Sequence, residues 1–198
     1  MQFDTTIHRD FNDTVIDYGI IKGNNTVVLI KAGLDGSMMG YKNKYLTIAT
    51  KINQKHGYTI IVSSNPATKF NALDDAINLI NELLSPEQLK DHKVYYMGFS
   101  NGGYMGLVYG HMYPQIKRML IVNTPIMFNW HKAKDGLAKF TGEKVTLVFG
   151  ECDQSIPYVG LLDLVKNKAK EIIIYPNANH QFVGMLEEFI ELPFKHLC

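Results

Sequence analysis

Short runs of largely apolar and β-branched residues alternate along this chain with longer stretches in which apolar residues recur every three or four positions. The runs are Val27–Ile30, Tyr58–Val62, Lys93–Met97, Met119–Val122, Val145–Phe149 and Ile172–Tyr175. Runs of this length, rich in β-branched and aromatic residues, predict strands covered on both faces, as in a parallel sheet. Between them, Tyr41–Lys55 predicts a helix with Tyr45, Ile48, Ala49 and Ile52 on one side, stopped at His56-Gly57. Phe70–Leu84 carries the clearest amphipathic stripe, Leu73, Ala76, Ile77, Ile80, Leu83 and Leu84. Asn71 can cap its start and Pro86 marks its end. Further helices are predicted at Asn101–Tyr113, Pro157–Lys168 and Gln181–Leu192, and Thr124–Thr141 is a linker with helical potential. Phe3–Lys22 reads as two strands joined at Asn12-Asp13. Strands alternating with helices throughout predict an α/β domain, residues 1–198, with a mostly parallel twisted sheet and helices on both faces.

One junction in this pattern carries chemistry. Gly98-Phe99-Ser100-Asn101-Gly102 lies between a predicted strand and a predicted helix, the setting of a nucleophile elbow. Side chains two positions either side of the serine would collide in so tight a turn, and glycine removes the clash. The helix that follows turns unpaired N–H groups toward developing negative charge. Gly102, Gly106 and Gly110 leave one helix face almost without side chains. Each helical glycine costs about 1 kcal/mol relative to alanine, so three on one face imply close packing onto a sheet. A Gly-rich turn before any buried helix would show the same five letters, so the motif needs partners.

Composition narrows the classes. With 198 residues, 46% hydrophobic content and a formal net charge of +1, the chain suits a globular core, and its scattered Lys and Arg do not suit nucleic acid or an anionic membrane. Met1–Thr6 has no basic start followed by an apolar core, no apolar run approaches a membrane span, and Cys152 and Cys198 are the only cysteines. The expectation is a cytoplasmic protein with no disulfide framework and no cysteine-based zinc site.

Ligands of such sheets bind outside the carboxyl ends of the strands. There the chain carries Ser100, then Gly150-Glu151-Cys152-Asp153-Gln154-Ser155-Ile156-Pro157, then Pro176-Asn177-Ala178-Asn179-His180. A serine, an acid and a histidine thus each stand in a loop after a predicted strand, in the chain order Ser, Asp, His. With these motifs the chain resembles the α/β-hydrolase family over nearly its whole length. The resemblance implies that fold, with an antiparallel edge strand near the N-terminus and, since Thr124–Glu143 has room for one short helix, little or no cap.

The implied roles are Ser100 as nucleophile, His180 as general base and then acid, and Asp153 as the group that orients the imidazole. Oxyanion donors would be the backbone N–H groups of Asn101 and Leu34. Where the family often carries His-Gly, this chain has Ala32-Gly33, and Asp35 is expected to face solvent or cap the following segment. Glu151 is a competing acid and His131 a competing histidine, while Cys152 reads as a small buried residue. Met38, Phe99, Met127, Phe128 and Trp130 are candidates to line an acyl pocket, with core packing as their ordinary alternative. No basic cluster near the triad asks for an anionic substrate.

The expected activity is hydrolysis of a carboxylic ester with a small to medium acyl group, through an acyl-enzyme. A thioesterase, amidase, lipid-acyl hydrolase or acyltransferase would use the same triad, and a weakly catalytic binding protein would keep the same fold. The resemblance implies no metal or other cofactor; the partner is a small-molecule acyl substrate, and no oligomeric state is implied.

Overall fold

The computed structural model describes residues 1–198. Eight strands form one sheet: β1 (Thr5–Phe11), β2 (Thr14–Ile21), β3 (Asn24–Lys31), β4 (Tyr58–Ser63), β5 (Lys93–Phe99), β6 (Ile116–Val122), β7 (Lys144–Gly150) and β8 (Lys170–Tyr175). Their spatial order is β1-β2-β4-β3-β5-β6-β7-β8. The β1–β2 hairpin joins the edge antiparallel, and every pairing from β4 to β8 is parallel.

The apolar runs are explained by two cores, one on each face. Alternate residues of β3 divide between them, with Val27 and Leu29 facing one way and Val28 and Ile30 the other. The same split sends Val94 and Tyr96 of β5 to the first face and Tyr95, Met97 and Phe99 to the second. The first core is closed by α2 (Ala72–Leu83), α4 (Asn101–Tyr109) and α5 (Trp130–Lys139). The second is closed by α1 (Lys44–His56) and α6 (Leu186–His196).

Local chemistry accounts for the element ends. The Asn71 side chain accepts from the Leu73 N–H at the start of α2, and Gly57 ends α1 in the left-handed region at φ 68°. Beyond α2, Pro86 does not only end a helix. It opens α3 (Pro86–Lys90), where Ser85 and Gln88 form a reciprocal capping box.

Two predicted helices differ from those found. Ile156–Leu164 is a 3₁₀ helix, and no α-helix forms over Pro157–Lys168. The last helix starts at Leu186, five residues after the predicted Gln181. Over 181–185 the Asn179 side chain takes the N–H groups of Gln181 and Val183, and Phe182 and Gly184 adopt positive φ. These local bonds compete with helix. Pro193 sits inside α6, past the predicted end at Leu192.

Candidate active site

Ser100 stands between β5 and α4 with φ 52° and ψ −119°. A residue with a Cβ rarely holds this conformation, and it persists only where the surroundings impose it. They do so here through close backbone approach. A Cβ on Gly98 would lie 2.6 Å from the Gly102 and Gly103 backbone, and one on Gly102 would lie 2.4 Å from the Ala32 carbonyl. Further along α4, Gly106 faces the Tyr96 ring and Gly110 the Met119 sulfur, so the glycine face lies flat on the sheet. The Ser100 N–H donates to the Val122 carbonyl at 2.8 Å, tying the turn to the neighbouring strand.

Asp153 follows β7, and its side chain is fully buried. Its Oδ1 accepts from the Ser155 N–H at 2.7 Å, and its Oδ2 lies 2.5 Å from His180 Nδ1. The other ring nitrogen of His180, Nε2, lies 3.0 Å from Ser100 Oγ. An ionised carboxylate can only accept, so Nδ1 carries the proton and Nε2 is left to accept from the serine hydroxyl. Burial pushes the Asp153 carboxyl up, but hydrogen bonds from His180 and Ser155 outweigh it and hold the carboxyl below its ordinary value.

Two asparagines fix the loops that carry these groups. Asn123, fully buried at the end of β6, accepts from the Gly150 N–H at 2.7 Å through Oδ1. Its Nδ2 donates to the carbonyls of His180 at 2.8 Å and Asn179 at 3.2 Å. One side chain therefore joins the loops of the acid and the histidine. Asn65, after β4, donates from Nδ2 to the Ala32 carbonyl and to Asn101 Oδ1. It thereby links the loop after β3 to the start of α4. Neither residue was a sequence candidate. The only signal was a polar residue at the end of an apolar strand, which also reads as a turn.

Leu34 and Asn101 line one groove with Ser100. The Leu34 N–H makes no hydrogen bond within the chain, and the Asn101 N–H, first in α4, has no intrahelical acceptor. Neither N–H has an acceptor within the chain, and both belong to residues that line the groove with Ser100. Asp35 is exposed, and its carboxylate accepts from the Ala67 N–H at 3.3 Å.

The competing candidates stand elsewhere. Glu151 accepts from the Asn177 N–H, and His131 is exposed on α5. Cys152, expected to be buried, is exposed, because its side chain leaves the turn on the solvent side while Asp153 turns inward.

The groove at Ser100 has a volume of about 700 Å³ and is lined by Tyr104, Tyr109, Phe70 and Phe128 among others. Of the five candidate pocket residues only Phe128 belongs to it. Phe99 points to the opposite face of the sheet by strand alternation, with its ring centroid 5.3 Å from that of His180. Met38 packs on that same second core, Trp130 on the first, and Met127 lies exposed outside the groove. The lining also includes Lys69 and Lys132 and no carboxylate, a cationic bias that their separation along the sequence concealed. No group of three or more His, Cys, Asp or Glu side chains is placed to hold a metal ion. No helix is long and apolar enough to cross a membrane.

No family model matches the chain. No curated protein sequence matches it either. Solved structures do. The chain is similar to Est1E from Butyrivibrio proteoclasticus, with a TM-score of 0.75 at 15% identity, covering 94% of each chain. It is similar to an alpha-beta serine hydrolase homologue from Coxiella burnetii, with a TM-score of 0.72 at 14% identity over 98% of each chain. A serine hydrolase without lid from Xanthomonas campestris gives a TM-score of 0.69 at 14% identity, covering 96% of this chain and 92% of that one. With its eight-stranded, mostly parallel sheet and no inserted cap, this chain has the α/β-hydrolase fold.

Proposed function

We propose that the protein is a serine hydrolase that cleaves carboxylic esters of small to medium acyl groups through an acyl-enzyme. The observation that carries this reading is the unbroken hydrogen-bonded line from Asp153 through His180 to Ser100, at 2.5 and 3.0 Å. His180 Nε2 takes the Ser100 proton as Oγ attacks the ester carbonyl. The carbonyl oxygen becomes an oxyanion, received by the N–H groups of Asn101 and Leu34. Each such donor lowers the barrier by about 3 kcal/mol. The imidazolium then protonates the departing alkoxide, leaving an acyl-serine and a free alcohol. Water repeats the sequence with His180 as base, releasing the acid and restoring Ser100. Asp153 remains ionised throughout, holding the tautomer and stabilising the imidazolium.

The groove supports an acyl or alcohol portion with an apolar or aromatic body, since Phe70, Tyr104 and Phe128 offer apolar surface there. Among the similar structures, Est1E is also known with ferulic acid bound, and another is a thioesterase domain from the curacin biosynthetic pathway. An aryl ester series of graded acyl length, run beside matching thioesters and amides, therefore separates the leaving-group classes.

The decisive experiment is labelling with a fluorophosphonate at neutral pH. Ser100 is expected to be modified in the folded protein, and Ser100→Ala is expected to be inert. Absence of labelling in folded wild-type protein would overturn the reading and favour a binding role for the fold.

A further inference from the structure

Lys44, the first residue of α1, is 4% exposed. Its ammonium lies 4.0 Å from the ring centroid of Phe189, 4.4 Å from that of Phe99 and 5.1 Å from that of Tyr45. No carboxylate or hydrogen-bond acceptor of the chain answers it. Aromatic faces attract a cation but accept no directed N–H bond as a carboxylate does. Burial alone accounts for the fall of its pKa to about 8.

Lys44 lines a cavity of about 630 Å³ between residues 41–44 and 181–189, apart from the groove that holds Ser100. That volume is in the range of small-molecule sites. Its buried lining is Lys44, Phe182 and Phe189, and Lys44 is the one charge among them. The other charges, Lys42, Glu187 and Glu188, are exposed at its rim. The acidic pair at the mouth disfavours a multiply charged anion, while one buried cation matches one negative charge.

We infer that this cavity is a binding site for a small aromatic or aliphatic monocarboxylate, with Lys44 as the counter-ion of its carboxylate and the Phe182 and Phe189 rings against its apolar body. Such a ligand would sit beside the catalytic loop without entering it. Phe182 lies two residues after His180, and Phe99 joins Lys44 to the His180 ring. The inference goes beyond the proposed hydrolysis and does not depend on it.

The test uses benzoate and its uncharged isostere benzamide, titrated by NMR and calorimetry into folded Ser100→Ala protein, so that turnover plays no part. Benzoate is expected to bind saturably, at least about tenfold tighter than benzamide, with shifts at the rings of Phe99 and Phe189. Lys44→Met in the same background should abolish the preference for the charged probe. Leu186→Trp, which fills the cavity and leaves Lys44 in place, should abolish benzoate binding. Equal affinity for the two probes, no saturable binding, or shifts confined to Tyr104 and Phe128 in the groove would each overturn the inference. So would an unchanged preference in folded Lys44→Met, or wild-type affinity in folded Leu186→Trp. Fluorophosphonate labelling reads a different residue, so the two proposals fail separately.

Discussion

Asn123 donates a hydrogen bond from Nδ2 to the carbonyl of His180 at 2.8 Å. With Oδ1 on the Gly150 N–H, the same side chain spans the loops after β7 and β8. Its backbone has φ 47°, a region that Asn and Gly adopt most readily. Asn123→Gly is therefore the clean variant, since it removes the clamp without adding strain. It should lower ester turnover by roughly ten- to a thousandfold with little change in KM, because His180 loses its placement and the substrate loses nothing. Stability should fall by about 1–3 kcal/mol, from buried groups left unpaired. Steady-state kinetics alongside chemical denaturation check both parts. An unchanged kcat would show that the histidine loop holds its position unaided.

The Asp153 carboxylate meets the proton-bearing nitrogen of His180 in a fully buried position. Asp153→Asn keeps the shape and removes the charge, and an amide that offers its N–H to Nδ1 selects the wrong tautomer. Ester turnover should fall by roughly three to four orders of magnitude, and His180→Ala should cost at least as much. Near-wild-type rates in either variant would refute the assigned role. Glu151, engaged with the Asn177 N–H, should be replaceable by Gln at a cost of less than about tenfold.

Gly102 separates α4 from the loop that carries Leu34 by the width of one missing methyl group. Gly102→Ala would set a Cβ 2.4 Å from the Ala32 carbonyl and 2.5 Å from that of Lys31, both backbone atoms. The helix must retreat, and the donors on Asn101 and Leu34 must part. A loss of about 1–3 kcal/mol in stability should accompany a fall in kcat. Gly160→Ala, whose Cβ would meet nothing within 4 Å, is the matched control and should fold and turn over as wild type. Thermal melts and aryl ester rates on both variants decide the matter. Equal behaviour of the two would remove the steric account of the elbow.

These residues also show what the chain discloses before it is folded. The inner strands β3 to β7 were legible because their apolar runs are covered on both faces, so no alternation blurs them. Edge strand β8 was legible from its β-branched residues alone, although Ile174 is exposed. Ser100, Asp153 and His180 could be named because each follows a strand, and parallel strands bring such positions to one sheet edge. The five pocket candidates could not be sorted in the same way. Phe99 and Phe128 differ in which face of the sheet they join, and that follows from strand parity and the path of 123–129, not from hydrophobicity. Asn123 and Asn65 were hidden because a clamp between loops looks, in one dimension, like the turn residue it also is. The late start of α6 was hidden by side-chain bonds from Asn179 that compete with helix over only a few residues.

Lys31, at the end of β3, is wholly buried. Its ammonium donates to Ser63 Oγ and to the Ser64 carbonyl, each at 3.0 Å. Burial lowers its pKa to about 7, against an opposing pull from Asp75. An unfolded lysine titrates near 10.4. Between those values the unfolded chain holds a proton that the folded chain has released, so stability contributed at this site rises with pH from about 7 to about 10. The slope from one such group is at most about 1.4 kcal/mol per pH unit. Lys31→Met removes the titration, and Ser63 Oγ still donates to the Ser64 carbonyl at 2.7 Å, so that carbonyl keeps a donor. Denaturation at a series of pH values should therefore show the gap between Lys31→Met and wild type shrinking as pH rises, with the variant favoured most near neutrality. A gap that stays constant across that range would mean that Lys31 remains charged in the fold, held by the two serines and Asp75.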